Sequence, residues 1–231
     1  IGDWFYSSVQ QKNHLGEHLS PVMALFAPLY RLQPDLRWLL LAQLAAYCLT
    51  PWPLDRLVRS LGAARRPAAA CSCGLTLLWF LYPPMQAAMK TPFHPSTLAA
   101  PLILLCLLWW RQQRFARFSV GIATLLLFKE NLALVLAGVG MTTLAQGRRV
   151  RRGVLLLVLS VGLLWISTQW LIPWIEGGDY SKLSRLAPFD RLPAKVQYVW
   201  GLLSPLVFLP LLHWRQGLVA FPAMLQNLVS G

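Results

Sequence analysis

Apolar runs recur along almost the whole chain, each closed by a short polar or proline-containing stretch. They cover residues 36–54, 68–82, 96–110, 118–128, 132–145, 154–174, 198–212 and 217–229. At a rise of about 1.5 Å per residue, such runs approach the ~30 Å of a bilayer's hydrocarbon layer. Only helices and closed barrels satisfy their own backbone there, so the pattern predicts an all-α, polytopic transmembrane bundle of about eight segments. Pro51-Trp52-Pro53 and Pro83-Pro84 remove backbone donors and predict helix stops. The apolar stretch at 21–32 is too short to span and predicts an interfacial segment, with Arg31 snorkelling to water.

One interruption stands apart. Between residues 118 and 146 the only charges are Lys129 and Glu130, near the middle. This segment reads either as one long helix with both charges at membrane depth or as two legs meeting at Lys129-Glu130-Asn131. No Gly or Pro marks such a tip, and short legs fit only a tip buried in protein. Counting basic residues on either side barely separates the two, and arginine density slightly favours two legs. Charges at membrane depth are costly, so the pair predicts a functional site lining a polar cavity. The structural alternative is a neutralised pair locking helices together.

Composition agrees with the pattern. The chain is 56% hydrophobic and 13% charged, with a mean hydropathy of +0.51, against about 25% charged residues in a soluble domain. The net charge of +13 comes from arginine clusters at 56–66, 111–117 and 148–152. Clusters between apolar runs follow the positive-inside rule for cytoplasmic loops. That distribution excludes a nucleic-acid surface, and Trp and Tyr crowd the run ends as an interfacial belt does. Cys48, Cys71, Cys73 and Cys106 lie in apolar runs and predict free, packed thiols, with no metal site. The chain opens at Ile1 and closes just after an apolar run. This predicts a single transmembrane domain over 1–231, cut from a longer protein that carries an upstream first span and a further C-terminal part.

In the two-leg topology the remaining polar residues fall on the external side. Among them are Asp3, Glu17, His18, Lys90, His94, Lys129, Glu130 and Tyr180. Carboxylates there can act as general base or metal ligand, and cations can neutralise a phosphate leaving group. His14-Leu-Gly-Glu17-His18 has the order of an inverted zinc-protease motif, but Gly16 and Pro21 break the helix that motif needs. His94 sits between Pro92 and Pro95, which fix the backbone around it or simply start a helix capped by Ser96 or Thr97.

Several short stretches together carry a resemblance. They are Gly16-Glu-His-Leu-Ser-Pro21 with Ala27-Pro-Leu-Tyr30, then Phe93-His-Pro95, Lys129-Glu-Asn131, and residues 222–230. Their order and spacing resemble the bacterial multi-pass family called domain of unknown function 2079. That family is grouped by similarity with GT-C glycosyltransferases, which take a sugar from a polyprenyl-phosphate carrier at the external face. The resemblance implies a GT-C-like fold in the bacterial inner membrane, with a periplasmic site. It implies the bilayer and a lipid-linked sugar donor as partners, and a divalent metal ion as a possible cofactor. Co-location on the external face, taken with the resemblance, makes Glu17, Asp3, His18 and His94 the catalytic candidates, and Lys129, Glu130, Asn131, Lys90 and Tyr180 the substrate-binding ones. Family members often carry Asp where this chain has Glu17, and an acid where it reads Lys90-Thr91-Pro92. The rival reading is a transporter or channel using the Lys129-Glu130 pair as an intramembrane relay.

Overall fold

The computed structural model describes residues 6–7, 12–13, 20–35, 37–62, 65–90, 93–147, 149–176, 192–203 and 214–229. Its regular structure is helical apart from one pair of two-residue strands. The chain forms two compact units, residues 21–128 and residues 1–20 with 129–231.

In the 21–128 unit, a 3₁₀ helix (Pro21–Phe26) runs into α1 (Ala27–Leu32). The α2 helix (Arg37–Leu49) starts where the Asp35 carboxylate accepts the Arg37 N–H at 2.9 Å. It ends at Thr50, whose hydroxyl donates back to the Ala46 carbonyl at 2.7 Å. Pro51 and Pro53 then sit in the first turn of a new helix, α3 (Pro51–Arg59), where no donor is missed. Asp55, Arg56 and Arg59, expected in a loop, therefore lie on a helix. Pro53 and Val58 are buried, while Trp52, Arg56 and Arg59 are exposed at the spacing of one helical face. Arg59 donates to Asp55 at 2.7 Å, and Arg59 and Ser72 hold that carboxyl below the usual carboxylate range.

The next pair is α4 (Arg65–Leu81) and α5 (Pro83–Lys90). The α4 helix stops before Pro83-Pro84, as expected, and α5 resumes at once at 44° to it. Prolines are tolerated in the first turn of the second helix, where no donor is missed, so the helical course restarts without a loop. Tyr47 on α2 grips α4 through Tyr47 Oη to the Phe80 carbonyl at 3.0 Å and Trp79 Nε1 to the Tyr47 carbonyl at 3.1 Å. After α6 (Pro95–Leu98) come α7 (Ala100–Arg111) and α8 (Phe115–Leu126), reversed through Gln113 at φ 62°.

The α7 and α8 helices approach closely at Gly121, where an added methyl would lie 2.6 Å from Cys106 Sγ and 2.9 Å from the Trp109 ring. Gly121→Ala is expected to destabilise the protein by about 1–3 kcal/mol through overpacking. Thermal unfolding in detergent checks this. Adding Cys106→Ala should recover part of the loss, with a coupling of at least ~0.5 kcal/mol. Strictly additive effects of the two substitutions would reject the contact.

The second unit carries β1 (Tyr6–Ser7) paired antiparallel with β2 (Lys12–Asn13), a minor departure from an all-α chain. From residue 129 onward a 3₁₀ turn (Glu130–Ala133) leads into α9 (Leu134–Ala145). It is followed by α10 (Val150–Ile166), a π turn (Ser167–Leu171) and α11 (Ile172–Glu176). The unit closes with α12 (Leu192–Leu203), α13 (Trp214–Gly217) and α14 (Phe221–Val229). Glycines let its backbones meet. A methyl on Gly140 would lie 2.9 Å from the Gly153 carbonyl, and one on Gly138 would run into the Val219 carbonyl. Such close approach is how helices pack when lipid supplies no hydrophobic drive between them.

The count of about eight crossing segments is corrected. Among the described residues, one continuous helix, Val150–Ile175, is long and apolar enough to cross a membrane, at 26 residues. A second crossing arises only if the bent pair Arg66–Leu81 and Pro83–Lys90 is one span. Other apolar helices are shorter: Pro21–Leu32, Ala100–Arg111, Phe115–Leu126 and Glu130–Ala145. The 12 residues of α7 reach only about 18 Å. Apolar runs overcount spans here because prolines and the Lys129-Glu130 pair cut the helices within them.

Candidate functional site

The charged interruption at 129–130 is a backbone break, so the single continuous helix over 118–146 does not form. The α8 helix ends at Leu126, residues 127–128 turn, and Lys129 is extended at φ −167°, ψ 144°. Lys129 and Asn131 are half-buried, and Glu130 is buried at 5% exposure. All three thus belong to one turn at the entrance to α9. The turn is anchored from α10, where buried Ser160 donates to the Ala133 carbonyl at 2.8 Å. A half-buried cation and a buried acid thus follow one another on this turn.

His94 belongs to the 21–128 unit. Its backbone is extended (φ −125°, ψ 124°), as a residue before proline prefers. Its N–H donates to Gln43 Oε1 at 3.4 Å, and its carbonyl accepts the Thr97 hydroxyl at 2.6 Å. Gln43 is 1% exposed on α2, and its Nε2 also donates to the Ala88 carbonyl at 3.3 Å. One buried amide therefore ties down both sides of the segment that carries Lys90 and His94, and both of those residues are exposed. The 3₁₀ helix Pro21–Phe26 lies at the same end. Phe26 meets Phe93 edge-on at 6.1 Å, and the Val22 N–H donates to the Leu127 carbonyl at 2.9 Å.

The fold thus gathers Lys90 and His94 on Gln43, and Lys129, Glu130 and Asn131 on one turn. Asp3, Glu17, His18 and Tyr180 lie outside the described residues, as does the His14–His18 motif. Among the described residues no three His, Cys, Asp or Glu side chains gather as a metal site would require. Sequence reading missed Gln43 and Ser160. Each is a lone polar residue inside an apolar run (Leu-Ala-Gln43-Leu-Ala and Val-Leu-Ser160-Val-Gly). That isolation is the signal that was there, because a buried polar group requires a partner.

Replacing Gln43 by Leu leaves the Ala88 carbonyl and the His94 N–H without this partner, at a cost of about 1–3 kcal/mol. The expected outcome is faster deuterium exchange across residues 88–98, with residues 150–166 unchanged. Unaltered exchange at residues 88–98 would show that Gln43 does not hold this loop.

In comparison with known proteins, residues 1–189 match the model of a family described as predicted membrane protein (DUF2079). No curated protein and no solved structure matches the chain.

Proposed function

The chain belongs to this family of predicted membrane proteins, and from that premise we propose that it is a GT-C-like glycosyltransferase working on a polyprenyl-phosphate sugar donor. The observation that carries the proposal is the Lys129-Glu130 turn: a buried carboxylate and a half-buried ammonium at a break between apolar helices. A lipid-phosphate donor presents its charge at the edge of the bilayer, where such a cation can meet it. Lys129 stabilises the developing phosphate charge, Glu130 orients the ammonium, and Asn131, Lys90 and Tyr180 bind substrate. Glu17 activates the acceptor hydroxyl as general base, with Asp3 as the other acid able to do so. His18 and His94 position the reacting groups. The protein works as a multi-pass protein of the bacterial inner membrane, with its site facing the periplasm.

The test is sugar transfer from polyprenyl-phosphate donors by membranes containing the protein, compared with Lys129→Ala and Glu17→Gln. Full activity in both variants would remove this site. The broken helix at Leu127–Lys129 also favours a second reading, since transporters build ion sites at interrupted membrane helices. Ion flux into proteoliposomes that depends on Glu130, without sugar transfer, would select that reading.

A further inference from the structure

The arginine-rich end of the 21–128 unit takes no part in the proposed transfer chemistry, yet it is built as one surface. Arg56, Arg59, Arg66, Arg111, Arg114 and Arg117 are all exposed. They come from α3, α4, α7, α8 and the turn before α8, which the fold brings to a common end. Arg111 Nε donates to the Ser60 carbonyl at 3.1 Å, tying the end of α7 to the end of α3. The reversal at residues 112–114 then starts α8 beside it. Asp55 is the only acid between residues 51 and 117. It is already engaged, accepting from Arg59 Nε at 2.9 and 2.7 Å, so the surface keeps a strong positive excess.

The cations are interleaved with exposed apolar groups. Trp52 is 52% exposed, with the Arg56 guanidinium 4.8 Å from its ring centroid. Leu49 and Leu61, just before and after α3, are 59% and 58% exposed. A free phosphate or a nucleic acid would use the arginines but leave Trp52 and the leucines in water. The boundary between lipid headgroups and acyl chains accommodates both.

We propose that this end of the unit is a binding surface for anionic phospholipid headgroups. The α3 helix lies in the plane of the interface, its arginines on the lipid phosphates and Trp52 at the acyl boundary. Juxtamembrane arginines strengthen such contacts by roughly fivefold each.

Native mass spectrometry of the full chain in mild detergent, titrated with phosphatidylglycerol or phosphatidylcholine, tests this. The intact protein is expected to retain phosphatidylglycerol at least about tenfold better, with the preference lost near 1 M salt. The triple variant Arg56→Gln, Arg114→Gln, Arg117→Gln should lose about 10²-fold in that retention. Lysine at the same three positions should keep most of it, which separates lost charge from lost folding. Trp52→Ala should weaken retention of both lipids. Equal retention of the two lipids, a preference indifferent to salt, or displacement of the lipid by millimolar inorganic phosphate would each overturn the proposal.

Discussion

Sugar transfer by Lys129→Ala is expected to fall about 10²–10³-fold in kcat, the loss that follows removal of one preorganised charge-stabilising group. The argument starts from the backbone. Lys129 is extended between two helices, so its side chain leaves the chain from a fixed point, and Glu130 beside it is buried. On the proposed reading, an ammonium carried from that point meets the phosphate charge of the donor. Lys129→Arg keeps the charge but replaces a compact ammonium by a planar fork, so partial activity is expected. Glu130→Gln preserves shape and removes the orienting carboxylate. It should lower kcat with little change in KM, because orientation matters most when the leaving phosphate develops charge. Detergent-stable, monodisperse variants with undiminished transfer would show that the turn is structural.

The largest stability effect is expected at Gly138. A methyl there falls onto the Val219 carbonyl, which is backbone and has no flexible end to move aside. Overpacking of side chains typically costs 1–3 kcal/mol. A backbone obstacle leaves fewer escapes, so Gly138→Ala is expected to cost about 3 kcal/mol or more by that standard. Thermal unfolding followed by size exclusion in detergent measures it. Gly162, inside α10, provides the internal control, because nothing lies within 4 Å of its added methyl. Gly162→Ala should be neutral or stabilising by up to about 1 kcal/mol, since alanine is the better helix former. Equal responses at the two glycines would mean that the α9–Val219 approach does not hold.

How much of this was legible in the sequence follows from what is local. The apolar runs marked where helices form, and the isolation of Lys129 and Glu130 marked the break between α8 and α9. The family resemblance read from Gly16–Pro21, Phe93–Pro95 and Lys129–Asn131 agrees with the family match over residues 1–189. Helix stops are legible, and restarts are not. The α2 helix ends before Pro51, as expected, yet α3 begins there and puts Arg56 and Arg59 on one helical face. The α4 helix stops before Pro83-Pro84, and α5 resumes at once at 44° to it. Proline states only that a donor is missing; whether the chain stops, restarts or kinks depends on what packs alongside. The contacts of Gln43 with Ala88 and His94, and of Gly138 with Val219, join positions far apart in sequence. No local pattern encodes such pairings. Asp3, Glu17, His18 and Tyr180 rest on the sequence alone.

The π turn at Ser167–Leu171 has a consequence for how this chain tolerates change in length. A π turn holds one residue more than the α-helical ladder needs. Each residue advances an α-helix by about 100°, but the wider π turn absorbs the extra one, so the helix after it keeps the phase it would have without that residue. Ile172 is fully buried and Trp174 is 70% exposed, and both depend on that phase. Deleting a single residue from 167–171 would restore an unbroken α-helix and leave Ile172 facing inward. At this place a one-residue gap is absorbed, whereas the same gap within Val150–Ile166 would rotate all that follows by about 100°.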